Sequence, residues 1–103
     1  MSVKSSPELL VVQGDAALVS GLLSLTAADD ARIADVTSDF RCVATHATNT
    51  SDVGVLVAAC GAGVINIKSI DPSSGHTKAG DDNEISFCVF RDISVPGQEK
   101  NYP

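Results

Sequence analysis

The run GVLVAACGAGVINIKSI, residues 54–70, constrains the fold more than any other part of the chain. Its first half is apolar at every position from Val55 to Cys60, and its second half alternates Ile65 and Ile67 with Asn66 and Lys68. A period of two marks a β-strand with one buried and one wet face. Two apolar runs joined by a short segment holding Gly61 and Gly63 read as a β-hairpin, in which glycine supplies positive φ. The rival reading is a phosphate-binding loop, which needs a third glycine and then a helix aimed at the phosphate. Asn66 occupies the position of the third glycine, and the β-branched alternation that follows leaves no helix. A Walker loop is excluded because no G-K-[ST] occurs. The stretch VGVLVAAC, residues 53–60, is apolar on both faces of a strand. In a small domain the second face must be covered by another sheet or another chain.

Other segments follow the same period. EISFCVFRD places Ile85, Phe87 and Val89 on one face and Ser86, Cys88 and Phe90 on the other. RIADV and FRCVATH also read as strands, separated by the polar Thr37, Ser38 and Asp39. GDAALVSGLLSLTAADDA is ambiguous. As a helix it is capped by Asp15 and carries Leu18, Leu22 and Leu25 on one side, with a cost of about 1 kcal/mol at Gly21. As a strand, the favoured reading, it groups Val19, Leu23 and Leu25 with Gly21. DPSSGHTKAGDDN, residues 71–83, has the composition of a long exposed loop. The breaker-rich SVPGQEKNYP reads as an extended tail. The organisation expected is an N-terminal arm or edge strand over residues 1–13, a β-domain over 14–95 and a tail over 96–103. The fold class expected is all-β, a small antiparallel sandwich or barrel-like domain.

Charge narrows the partners. Thirteen acidic against seven basic residues give a net charge of -6, and the basic residues are scattered along the chain. Neutralising phosphates requires clustered Lys and Arg, so neither nucleic acid nor an anionic membrane is an expected partner. No apolar run approaches the roughly 20 residues of a spanning helix. The opening MSVKSSPELLVV is too short in apolar residues for a secretory signal, so the chain is read as an intact protein made in the cytoplasm. On that reading the sequon Asn49-Thr50-Ser51 carries no glycan.

Reactive residues form no recognisable constellation. The odd number of cysteines, Cys42, Cys60 and Cys88, fits a reducing compartment, and all three sit in apolar runs as small hydrophobes. Cys42 and His46 share a strand face roughly 13 Å apart, too far for one metal ion; a zinc site that also drew on Cys60, Cys88 and His76 is the minor alternative. GDDNE, residues 80–84, could join Asp71 around Ca²⁺, but the EF-hand ligand order is missing and a solvated acidic loop is the preferred reading. No G-x-S-x-G occurs, and His46 and His76 have no local partner pattern. The expectation is a protein that is not an enzyme, with no catalytic residues, metal or cofactor.

The order of motifs resembles a known family. GDAALVSGLLSL (14–25), DARIADV (30–36), NTSDVGVLVA (49–58), GAGVINIKS (61–69) and DDNEISFCVF (81–90) follow one another as in a small β-domain of tailed-bacteriophage virion proteins. That domain occurs in capsid decoration proteins, head fibres and tail-fibre tips. The resemblance spans roughly residues 14–92, with a more charged 71–83 loop and three cysteines where Val, Ala or Thr are expected. It implies a non-catalytic virion structural domain, often a homotrimer. With no shaft or coiled coil in the sequence, the expected function is capsid decoration on the outer shell, the partner being the major capsid protein. Val53, Val55, Leu56 and Val57 are then the candidate subunit-interface strand. Leu9, Leu10, Val11 and Val12 are the candidate capsid-contact arm. The alternatives are a receptor- or glycan-binding tail-fibre tip, with His76, Lys78, Asp81 and Asp82 in its recognition loop, and an acidic host-directed inhibitor.

Overall fold

A computed structural model of the chain describes residues 8–92 and contains six strands and one short 3-10 helix. The strands are β1 (Glu8–Ala17), β2 (Leu22–Thr26), β3 (Arg41–His46), β4 (Val55–Gly61), β5 (Val64–Ile70) and β6 (Glu84–Asp92). They form two antiparallel three-stranded sheets, ordered β1-β6-β3 and β2-β5-β4. The fold is therefore all-β, two small sheets packed face to face.

The alternation read from the sequence sets which side chains meet between the sheets. Val12, Ile85, Phe87 and Val89 come from the first sheet, and Leu25, Ile65 and Ile67 from the second. Burying a side chain of this size stabilises by about 1.5–3 kcal/mol. The β4–β5 hairpin is present as expected: Gly61 pairs with Val64, and Gly63 takes φ 68° in the connection.

The ambiguous segment is extended rather than helical, but it is two strands. Ser20 (φ 53°) and Gly21 (φ 78°) form a two-residue turn with positive φ at both positions, the geometry of a type I′ hairpin turn. Val19 and Leu22 exchange both backbone hydrogen bonds around it, at 2.9 and 3.0 Å. The turn carries the chain from the first sheet into the second. Val19 therefore does not share a face with Leu23 and Leu25, and it stands 70% exposed.

The expectation of a strand at RIADV is corrected. Residues Ala31–Asp35 form the 3-10 helix. The Asp30 carboxylate accepts the Arg32 amide at 2.9 Å and caps it, and Ile33 N–H donates to the Asp30 carbonyl at 2.9 Å. Ile33 and Val36 are three residues apart, which suits the 3.0-residue turn, and both are buried. They fill the core from the flank beside β1 and β2.

The N-terminal segment, from Glu8 onward, is an edge strand rather than an arm. β1 pairs with β6 along its length, with a register shift between Leu10 and Val12. The shift is a β-bulge, a device that blunts an exposed edge. The expected tail, residues 96–103, lies outside the described residues. No helix among the described residues is long and apolar enough to cross a membrane.

Candidate functional site

The outward face of β2-β5-β4 is an apolar surface that the core does not claim. Ile65, Ile67 and Ser69 of β5 point inward, so Val64, Asn66, Lys68 and Ile70 point outward. The register sets Leu22 and Val57 on either side of Lys68, Ser24 and Ala59 beside Asn66, and Val55 beside Ile70. Val55 and Val57 are each 54% exposed, with Val53 and Leu22 close to half exposed. A shallow depression of about 560 Å³ lies on the same face between Val19, Leu22 and Lys68.

Three of the four residues expected on an interface strand, Val53, Val55 and Val57, are thus brought to the surface together. Leu56 is not with them: it turns inward with Ala58 and Cys60 against the core. The double-apolar strand has one face covered by the facing sheet and the other open. Val19, Leu22 and Ile70 were not singled out from the sequence as part of this face. The uncharged run over residues 53–67 signals the β4–β5 part of the face, whereas Leu22 and Ile70 come to it through the register with β5 and β4.

A buried polar cluster at one end of the sandwich holds this face in place. Asp81 and Ser69 are fully buried, and Asn83 nearly so. Ser69 Oγ donates to Asp81 Oδ2 at 2.6 Å, His46 Nε2 lies 2.7 Å from the same oxygen, and the Gly54 amide donates to it at 3.2 Å. Asp81 Oδ1 accepts from the Asn83 amide at 3.2 Å and its side-chain nitrogen at 2.8 Å. One carboxylate thereby ties the end of β3, the start of β4, the end of β5 and the entry to β6. Burial alone would raise the Asp81 pKa, but hydrogen bonds from Ser69, His46, Asn83 and Gly54 outweigh it and hold the carboxyl well below the usual range.

The cluster also reaches the β1–β2 turn. Gly21 N–H donates to the Asp81 carbonyl at 2.9 Å, Ser20 N–H to Asp82 Oδ1 at 2.7 Å, and Ser69 N–H to the Gly21 carbonyl at 2.8 Å. Val19, Leu22, Val53 and Val55 are set by these bonds.

Ser69, His46 and Asp81 are the residue types of a hydrolytic triad, yet the order is different. In a triad the imidazole stands between the nucleophile and the acid. Here the carboxylate stands between Ser69 and His46, and Ser69 is shut off from solvent. The arrangement holds loops together and does not activate a hydroxyl.

The loop expected to be solvated is in part core. His76 and Asp82 are exposed and Lys78 is half-buried, 3.8 Å from Asp71, but Asp81 points inward and meets none of the others at the surface. The loop tip is ordered by Asp71, whose Oδ1 accepts from Ser73 N–H at 3.0 Å and Ser73 Oγ at 2.8 Å. In the candidate arm, Val12 is core, Val11 packs on it, and only Leu9 and Leu10 are substantially exposed.

Cys42 and Cys60 lie against the core, and Cys88 is half-buried on the outer side of the first sheet, between Gln13 and Val43. Burial pushes the Cys42 thiol up to about 11 and raises Cys60 as well. Among the described residues no group of three or more His, Cys, Asp or Glu side chains is placed to hold a metal ion. No protein-family model matches the chain, and neither a curated protein nor a solved structure matches it.

Proposed function

We propose that this chain is a bacteriophage capsid decoration protein, a homotrimer that binds the major capsid protein on the outer surface of the virion shell and stabilises it. The observation that carries the reading is the open apolar face of β2-β5-β4, with Val55 and Val57 more than half exposed on a rigidly framed sheet. A domain whose polar cluster is satisfied internally, and which leaves an apolar sheet face open, acts through contact. The phage assignment rests on the motif order of residues 14–92.

The test is addition of the purified protein to mature shells that lack it. Co-sedimentation at a fixed number of copies per capsomer and a rise in shell melting temperature are expected. Absence of binding to shells, or immunogold label at the tail, would count against it. The second reading, a tail-fibre tip, draws on the ordered Asp71–Gly75 turn that presents His76 to solvent. Asp81 does not serve that reading, since its carboxylate is spent inside the fold.

A further inference from the structure

β3 and β4 belong to different sheets and share no ladder, yet they run side by side along one flank of the sandwich, with Cα atoms within 8 Å of each other. That flank is pinned at both ends. At one end His46, the last residue of β3, and the Gly54 amide, just ahead of β4, meet the same Asp81 oxygen at 2.7 and 3.2 Å. At the other end Gly63 N–H, just past β4, donates to the carbonyl of Val36, ahead of β3, at 2.9 Å. The start of β3 therefore lies by the end of β4, and the two strands are antiparallel.

This direction brings two thiols to the same end of the flank. Cys42 is the second residue of β3 and Cys60 the last but one of β4, and both turn inward against the core. The next inward residues, Ala44 and Ala58, carry only methyl groups, which lets the two edges approach. After burial, the group that most raises the Cys42 thiol is Cys60, ahead of Cys88, although Cys88 sits on the strand paired with β3. Cys88 faces the opposite side of the first sheet and is no rival partner. A disulfide spans Cα atoms about 4.4–6.8 Å apart, so strands at this spacing reach it with little movement.

We infer that Cys42 and Cys60 are a redox-modification site: a small disulfide oxidant, glutathione disulfide for one, joins them and closes the β3–β4 flank covalently. One thiol of the pair, as thiolate, attacks a sulfur of glutathione disulfide, forming a mixed disulfide and releasing one glutathione thiolate. The second thiolate then attacks the protein sulfur of that mixed disulfide and expels the other glutathione. The protein gives up two protons and two electrons, and the oxidant leaves as two molecules of glutathione. In reducing surroundings the same pair packs as two small apolar side chains. Burial keeps both thiols protonated at neutral pH, so the exchange is slow and speeds up as pH rises. The site is independent of what the domain binds.

The experiment incubates the folded, reduced full chain with glutathione disulfide at about pH 8.5 until its mass stops changing, then caps free thiols with N-ethylmaleimide and digests with trypsin. Cleavage after Arg41 and Lys68 leaves Cys42 and Cys60 in one peptide, residues 42–68, while Cys88 falls in residues 79–91. Peptide 42–68 is expected to carry no cap and to be lighter by two hydrogen atoms than its reduced form, whereas 79–91 carries a maleimide or a glutathione. The bond closes a loop of about 20 residues, so the oxidised chain is expected to melt roughly 10 °C higher, and dithiothreitol to reverse the rise. Cys60→Ala is expected to show no such rise, and Cys88→Ala to keep it. A folded chain whose 42–68 peptide takes two caps, a bond that forms only in urea, a bond that joins Cys88 instead, or a melting temperature that stays level or falls overturns the inference.

Discussion

Replacing Asp81 by alanine removes the acceptor of Ser69 Oγ, His46 Nε2, the Gly54 and Asn83 amides and the Asn83 side-chain nitrogen together. Each buried donor left without a partner costs about 1–3 kcal/mol. The bonds share one carboxylate, so their costs do not add; a net loss of about 3–5 kcal/mol is expected. Domains of this size unfold with only about 5–15 kcal/mol, so the variant should be marginal. Urea unfolding followed by circular dichroism at neutral pH measures it, with a drop in melting temperature of roughly 4–8 °C per kcal/mol as the parallel reading. Asp81→Asn keeps the volume and should fold even where alanine does not, at a smaller cost. The pH dependence has a definite sign. A carboxyl held below its ordinary 3.8 contributes stability that is complete above that value and is lost as pH falls through the lowered value. The stability difference between wild type and Asp81→Asn should thus shrink on acidification below about pH 4. A loss under 1 kcal/mol at neutral pH, or a difference that does not change with acid, would refute the reasoning.

Gly54→Ala would set a methyl group 2.8 Å from the Ile70 carbonyl oxygen and closer still to Ser69 Oγ, so thermal unfolding should show a loss of at least about 1–3 kcal/mol. Ser20→Gly should be neutral or stabilise by up to about 1 kcal/mol, since Ser20 holds φ 53° at a type I′ position where glycine carries no steric penalty. Cys42, its thiol raised by burial to about 11, should react with iodoacetamide at pH 8 far more slowly in the native protein than in urea, as read by peptide mass analysis.

The strands were legible where one face is buried and the other wet. Ile65, Ile67, Ile85, Phe87 and Val89 announce themselves by period, and all five are core. The two misreadings share a physical origin. Arg32-Ile33-Ala34-Asp35-Val36 fits alternation loosely and a three-residue turn equally well, and what decides is the Asp30 cap and the flank of the sandwich that Ile33 and Val36 fill. Around Ser20-Gly21 the apolar residues run on without a break, so local pattern alone missed a turn whose hydrogen-bond partners come from residues 69, 81 and 82. The burial of Asp81 was hidden for the same reason: His46, Gly54 and Ser69 are distant in sequence, and an aspartate in GDDNE looks no different from its exposed neighbour. The open face was half legible. Its valines were visible as a strand apolar on both sides, whereas Leu22 and Ile70 join it only through the register of β5 with its neighbours.

The pairing of Glu8 with Asp92 has a consequence for how the domain comes into being. The β4–β5 hairpin closes across two residues and can form as soon as it is made, whereas the first sheet has β6 as its central strand and waits for the last of the described residues. Closing so long a loop carries an entropy cost that only the finished core offsets. During synthesis β1, made before the other five strands, therefore waits with β3 for β6, and its bulge and carboxylates protect it through the interval in which it has no neighbour.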